Sequence, residues 1–165
     1  MAKSIAVDNN TMAHAGVRAA MLKVQSALVD VCLSWPGLMI GTTANTKVKI
    51  INTTYAMVDN ILVAKAPAEI TLSGTVTNAK FNVFVLTMTS GGTVTATMGT
   101  EGATLAAVVF PTIPADSCVL GFVIVNPTGT GNFVGGTTAL DDATVVPNAV
   151  FINTPRPFGS NAVSL

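Results

Sequence analysis

Hydrophobic residues recur with a helical period near the start of the chain and with a strand period along most of the rest. Between residues 13 and 35, apolar positions are spaced alternately four and three apart, the heptad spacing of a helix that packs on other helices. This seam consists of Val17, Met21, Val24, Leu28, Val31 and Trp35. Asn9, Asn10 and Thr11 offer cap residues before it, and Pro36-Gly37 ends it. The pattern predicts one N-terminal α-helix.

The predicted helix carries a second apolar line on another side, formed by Ala15, Leu22 and Val29. A helix that is apolar on so much of its circumference is normally covered on more than one side. Its charged residues, Arg18, Lys23 and Asp30, argue against a membrane span. We expect one side to pack on the chain's own β-domain and the seam to pack on other copies.

From residue 38 onward, short segments rich in β-branched residues alternate with turn residues, which is typical of strands. The clearest unit is a hairpin over residues 80–98, with Ser90-Gly91-Gly92 as its turn. The predicted strands are Thr46–Asn52, Tyr55–Ala64, Glu69–Val76, Lys80–Thr89, Thr93–Met98, Val119–Asn126 and Thr144–Ile152, with shorter ones at Thr104–Val109 and Asn132–Val134.

These elements predict a mainly β fold, a β-sandwich or jelly-roll-like domain preceded by one N-terminal α-helix. The arm and helix occupy residues 1–37 and the β-domain residues 38–152. Residues 153–165 contain Pro155 and Pro157, which are unsuited to a sheet interior, and predict an extended C-terminal tail.

Composition narrows the classes of function. Half of the residues are hydrophobic and only 10% are charged, with eight basic residues balancing eight acidic ones. Such a neutral surface has little colloidal repulsion and suits a protein that is covered by partners. The basic residues are dispersed, with Lys47 and Lys49 as the best pair, so nucleic-acid binding is not expected. No run of about 20 apolar residues predicts a membrane segment.

Residues able to support chemistry are few. His14 is the only histidine, which excludes a histidine cluster for metal binding and leaves no convincing catalytic triad. Asp141-Asp142 either binds Ca²⁺ or opens a turn. Cys32 and Cys118 are either two buried free thiols or one disulfide. We therefore predict no catalytic, cofactor or metal site, and no enzyme.

Aromatic residues that stack on sugars are also scarce. The only tryptophan, Trp35, is placed on the predicted helix, and the only tyrosine, Tyr55, stands alone in a strand. Glycan binding stays open because backbone groups and Asn or Asp side chains also bind sugars.

The strand-rich segment "GTVTNAKFNVFVLTMTSGGTVTATMG", the segment "NFVGGTTALDDATVVPNAVFINTPRPF" and the proline-containing tail resemble small structural proteins of tailed-bacteriophage particles. Within that group the chain is most similar to head decoration, or cement, proteins. The resemblance implies a non-enzymatic virion protein, often trimeric, that lies on the capsid surface and reinforces contacts between major capsid protein subunits. No family interface motif matches positions of this chain.

The sequence therefore predicts a homo-oligomer, most simply a trimer, that associates through the helix seam and binds the major capsid protein. Three alternatives stay open: a fibre or receptor-binding domain that recognises host glycan, a small coat subunit that builds the shell, and a bacterial pilus-like subunit. The last is disfavoured because residues 1–12 show no export signal.

Overall fold

The computed structural model describes residues 30–147 and 149–155, which form a mainly β structure. Its strands are β1 Val31–Cys32, β2 Leu38–Ile40, β3 Lys47–Ile50, β4 Thr54–Val58, β5 Ile61–Lys65, β6 Ala68–Thr71, β7 Thr75–Val76, β8 Asn82–Thr89, β9 Val94–Met98, β10 Ser117–Val125, β11 Phe133–Val134 and β12 Val150–Asn153. One short 3-10 helix spans Leu105–Ala107. No helix in the described ranges has the length and apolarity needed to cross a bilayer.

The described strands form four antiparallel sheets. The main sheet has the order β12-β10-β8-β9. One three-stranded sheet has the order β1-β4-β5, and another has the order β2-β3-β6. The strands β11 and β7 form a two-stranded sheet. The mainly β prediction is confirmed at this level.

The hairpin predicted over residues 80–98 is confirmed as β8 and β9. Thr87 pairs with Thr95 across the two strands, and their hydroxyl oxygens lie 3.3 Å apart. Gly92 in the turn has a φ of 74°, a conformation that glycine adopts without a steric penalty. β8 lies between β9 and β10 in the main sheet, so both of its edges are paired. Successive residues of β8 are buried, so it has buried side chains on both faces of the sheet.

One hydrophobic core joins all four sheets. β1 packs against β10, and β2 packs against β12, so the two three-stranded sheets lie against the main sheet. At the second contact, the backbone N–H of Leu38 donates to Asn153 Oδ1 at 2.9 Å. Phe84 of β8 and Phe133 of β11 meet edge to face with ring centroids 5.8 Å apart. Their contact fixes the small sheet to the main one.

The prediction of an α-helix that runs to Trp35 is wrong for residues 30–35, the part of the predicted helix that the structure describes. Residues 30–35 contain β1, and the rest of the predicted helix lies outside the described residues. Val31 and Cys32 pair with Met57 and Ala56 of β4, so tertiary pairing overrides the helical spacing. Asp30 has a φ of 55°, which an α-helix cannot accommodate.

Several strand limits also differ from those predicted. The segment predicted as one strand over Tyr55–Ala64 is the β4–β5 hairpin, because Asp59 and Asn60 both take left-handed φ values of 49° and 60° and form its turn. The segment Thr104–Val109 contains the 3-10 helix in place of a strand. In the predicted strand Thr144–Ile152, strand structure begins only at Val150.

Candidate functional site

The predicted oligomer seam falls mostly outside the described residues. Its members Val17, Met21, Val24 and Leu28 are not described, so a seam there stays a prediction. Val31 is buried on β1, and Trp35 follows that strand with 56% of its surface exposed. Neither of these two residues lies on a helix, and their part in an oligomer interface stays a prediction.

The only tryptophan and the only tyrosine of the chain are exposed on two neighbouring, hydrogen-bonded segments, which we call the aromatic patch (Ser34, Trp35, Asn52 and Tyr55). The carbonyl oxygen of Tyr55 accepts hydrogen bonds from the backbone N–H groups of Leu33 at 2.8 Å and Ser34 at 3.3 Å. The N–H of Tyr55 donates to Ser34 Oγ at 2.8 Å. The Asn52 side-chain amide donates to the Trp35 carbonyl oxygen at 3.3 Å. Trp35 and Tyr55 are both roughly half exposed, at 56% and 47%.

The aromatic patch corrects the placement of Trp35 on a helix and of Tyr55 as an isolated aromatic. The segment after β1 binds the start of β4, and this long-range contact brings the two aromatic residues onto neighbouring chain segments. Trp and Tyr side chains beside polar groups are suited to stacking on apolar rings or sugar faces, while their polar tips stay in water. No local pattern in the sequence indicates this arrangement.

A second apolar surface covers part of the main sheet, and we call it the outer face (Val109, Phe110, Phe122, Val150 and Ile152). Phe122 pairs with Ile152 across β10 and β12, on the side of the sheet away from the core. The ring of Phe110 packs edge to face on Phe122 with centroids 5.2 Å apart. Val109, Phe110 and Val150 are nevertheless exposed. Phe110 thus stays exposed while it packs on a neighbouring apolar ring, and grouped apolar side chains at the surface are typical of a binding surface.

The acidic pair Asp141-Asp142 makes local structural bonds. Asp141 Oδ1 accepts a hydrogen bond from Asn45 Nδ2 at 3.1 Å. Asp142 Oδ1 accepts from the N–H of Thr144 at 2.9 Å and from its hydroxyl at 2.6 Å. These bonds to Thr144 lower the pKa of Asp142 because they stabilise the ionised carboxylate. This geometry is that of a turn, the second of the two expected roles, and no cluster of three acidic, His or Cys side chains occurs in the ranges described.

A carboxylate that the sequence did not single out organises the loop between β2 and β3. Glu69 of β6 accepts hydrogen bonds from the backbone N–H groups of Thr42 at 2.8 Å, Thr43 at 2.7 Å and Ala44 at 3.3 Å. The bond from Thr43 contributes most to lowering the pKa of Glu69. Lys49, one of the predicted basic pair, donates to the Thr42 hydroxyl at 2.6 Å. The charges of this region therefore bind its own loop.

The two cysteines lie in the core as free thiols, which was one of the two expectations for them. Cys32 on β1 is 1% exposed and Cys118 on β10 is fully buried. A hydrogen bond between the two side chains lowers the pKa of Cys32, and the same bond together with burial raises the pKa of Cys118. The Cys32 thiol also donates to the carbonyl oxygen of Ser34 at 3.0 Å.

Comparisons with known proteins return no match to a protein-family model, to a curated protein or to a solved structure. The function of the chain is therefore inferred from the aromatic patch, the outer face and the composition.

Proposed function

We propose that this chain is a non-enzymatic structural protein of a virus particle, which binds the capsid shell as a homo-oligomer and stabilises it. The proposal combines the likeness to decoration proteins of tailed bacteriophages with the surfaces described above. We also propose a two-layer β-sandwich for the body. The packing of β1 on β10 and of β2 on β12 supports it, because it sets both three-stranded sheets against the main sheet.

The observation that carries this proposal is the amount of apolar surface left exposed on a chain with very few charges. Eleven large apolar side chains of the described residues are exposed: Trp35, Met39, Ile51, Tyr55, Ile61, Leu62, Leu105, Val109, Phe110, Val134 and Val150. Single exposed apolar residues are ordinary, but groups such as the outer face mark interaction surfaces. With no net charge to keep copies apart, such a chain is suited to an assembly in which partners cover these groups.

Repetition explains how such surfaces hold a shell together. A symmetric oligomer presents each apolar surface once per copy, so several modest contacts act together with the major capsid protein. Binding then needs no single deep pocket. In this arrangement the outer face is the best-formed candidate contact, because Phe110 and Phe122 already support each other across it.

The proposal is tested by measuring the mass and shape of the purified full chain, alone and with capsid shells of the virus that encodes it. We expect a soluble oligomer by light scattering that co-sediments with shells and raises their resistance to heat. Replacing Phe110 with alanine should weaken co-sedimentation, whereas replacing Thr95, an exposed threonine of the main sheet, should not. Self-assembly into particles or sheets would instead identify a coat subunit, and a lack of shell binding would refute the proposal.

The oligomer part of the proposal has its own test in the seam. Replacing Met21, Val24 and Leu28 together with alanine should dissociate the oligomer. Replacing Gln25 and Ser26 with alanine is the matched control, since both are polar members of the same segment. An unchanged sedimentation coefficient for the triple variant would show that the copies associate elsewhere.

A second candidate function, recognition of host glycan by a fibre or receptor-binding domain, is favoured by the aromatic patch. Trp35 and Tyr55 are exposed beside Asn52, and aromatic faces next to polar groups suit pyranose rings. This candidate predicts binding to purified host surface polysaccharide that is lost on replacing Trp35 with alanine and retained on replacing Phe110. Capsid binding that survives the Trp35 replacement, without polysaccharide binding, would reject it.

A further inference from the structure

The two cysteines of the chain are far apart in sequence and adjacent in the fold. Cys32 lies on β1 and Cys118 near the start of β10, and these strands pack on each other. Both side chains belong to the same core cluster, where the Cys32 thiol donates to the carbonyl oxygen of Ser34 and the Cys118 thiol to that of Val119. The sequence contains no third cysteine that could compete for either one.

The pair is also chemically unequal. The interaction between the two side chains lowers the pKa of Cys32, and the same interaction together with burial raises the pKa of Cys118. Thiol–disulfide exchange needs one sulfur that attacks as a thiolate and a second that resolves the intermediate. Cys32 lies on β1, at the end of its described sheet, and is placed for the first role, whereas Cys118 lies on β10, an inner strand, and is placed for the second.

Access to the buried sulfurs follows from the position of β1. This strand has only two residues and, among the residues that the structure describes, it stands at the edge of its sheet with β4 as its one neighbouring strand. Short edge elements open locally at a small fraction of the free energy of global unfolding. Opening of β1 therefore uncovers Cys32 while the main sheet stays folded.

We propose that Cys32 and Cys118 form a reversible disulfide that ties β1 to the main sheet when the protein meets an oxidising environment. The oxidant is a small-molecule disulfide such as oxidised glutathione. The Cys32 thiolate attacks one sulfur of that oxidant, forms a mixed disulfide and releases one glutathione thiolate. Cys118 then loses its proton and attacks the Cys32 sulfur, which forms the protein disulfide and releases the second glutathione. The two cysteines lose two electrons and two protons, and the oxidant is reduced to two thiols.

The consequence is a covalent link at the point where residues 1–29 join the body. β1 is the first strand of the described residues, so a partner bound by the preceding segment would then be linked covalently to β10, an inner strand of the main sheet. The bond closes the loop of residues 32–118, and cross-links across long loops restrict the unfolded chain most. This inference does not depend on a capsid function and holds for any partner.

The test equilibrates the folded full chain with mixtures of reduced and oxidised glutathione, quenches with acid, unfolds the protein and blocks free thiols with N-ethylmaleimide. Mass spectrometry then distinguishes two free thiols, a glutathione adduct and the internal disulfide. We expect the internal disulfide to form in the native chain at a ratio of oxidised to reduced glutathione that is ~tenfold lower than the ratio needed in concentrated urea, because the fold holds the two sulfurs together. The oxidised form should melt about 3–6 °C higher, because a tenfold preference for the bond in the folded chain stabilises the oxidised fold by the same factor, and reduction should reverse the shift.

Two variants make the result decisive. Cys32→Ser and Cys118→Ser cannot close the bond, so each should show at most one glutathione adduct and no oxidant-dependent rise in melting temperature. Two free thiols in the wild-type chain at every ratio, stable glutathione adducts in place of the internal bond, or a lower melting temperature on oxidation would each overturn the proposal.

Discussion

Replacing Phe133 with alanine removes the buried ring that holds the segment between β10 and β12 on the core. Phe133 is fully buried and meets Phe84 edge to face at 5.8 Å. A buried Phe→Ala change costs about 3–5 kcal/mol, because apolar contacts are lost and a cavity remains. The edge-to-face pair contributes about 0.5–1.5 kcal/mol of that cost. Since domains of this kind are stable by about 5–15 kcal/mol, the variant should lose about a fifth of its stability or more.

The assay is urea unfolding followed by the far-ultraviolet circular dichroism of the strands. With a slope of about 2 kcal/mol per molar urea, the midpoint of Phe133→Ala should fall by about 2 M. Phe133→Leu keeps most of the apolar volume and should lose less than about 2 kcal/mol. Val134→Ala is the matched control, because Val134 lies on the same strand and is 40% exposed. If Phe133→Ala and Val134→Ala unfold within about 1 kcal/mol of each other, the ring does not anchor this segment.

Three further predictions follow from the loops. Three backbone N–H bonds lower the pKa of the Glu69 carboxylate, so the ionised group stabilises the fold at neutral pH, and this contribution is lost as the pH falls through the folded pKa. Glu69→Gln should therefore weaken the fall of the melting temperature at acid pH, and parallel profiles of melting temperature against pH for the two proteins would contradict this. Gly37 has a φ of 66° and no room for a Cβ, so Gly37→Ala should lower the free energy of unfolding in urea by about 1–2 kcal/mol or more. Gly91→Ala is the control and should be near neutral, because an added Cβ there would meet only Thr89 Oγ1 at 3.9 Å. Asp30 accepts the Asp59 N–H at 3.0 Å from a left-handed conformation, so Asp30→Ala should cost about 1–3 kcal/mol by calorimetry while Asp30→Asn stays close to the wild type.

The parts of the fold that the sequence predicts correctly are those set by neighbours in sequence. The β8–β9 hairpin follows from alternation in Thr93–Met98 and from the glycine turn before it, and both signals lie within one short segment. The β4–β5 hairpin carried an equally local signal at Asp59-Asn60, but the apolar residues around it predicted one continuous strand. Left-handed conformations at these two residues decide the outcome, and aspartate and asparagine adopt them readily.

The parts that the sequence did not predict depend on contacts between distant residues. The heptad spacing through Val31 describes apolar positions only, and the partner that turns this segment into a strand is Met57 on β4. The segments of Trp35 and Tyr55 are brought side by side by hydrogen bonds from Leu33 and Ser34 to Tyr55, so the aromatic patch had no signal in either segment. The hydrogen-bonded loop around Glu69 was missed for the same reason.

The position of β8 also determines the order in which backbone hydrogen bonds open, because both edges of this strand are paired and its side chains are buried on both faces. Val83, Val85 and Thr87 are buried on one face and Phe84 and the alternate residues on the other, and strands bind both edges. Backbone amides in such a strand exchange with solvent deuterium only when the whole domain unfolds, whereas those of β1 exchange by local opening. The exchange rate of β8 therefore reports the lifetime of the entire fold, and the rate at β1 reports how often the first strand leaves it.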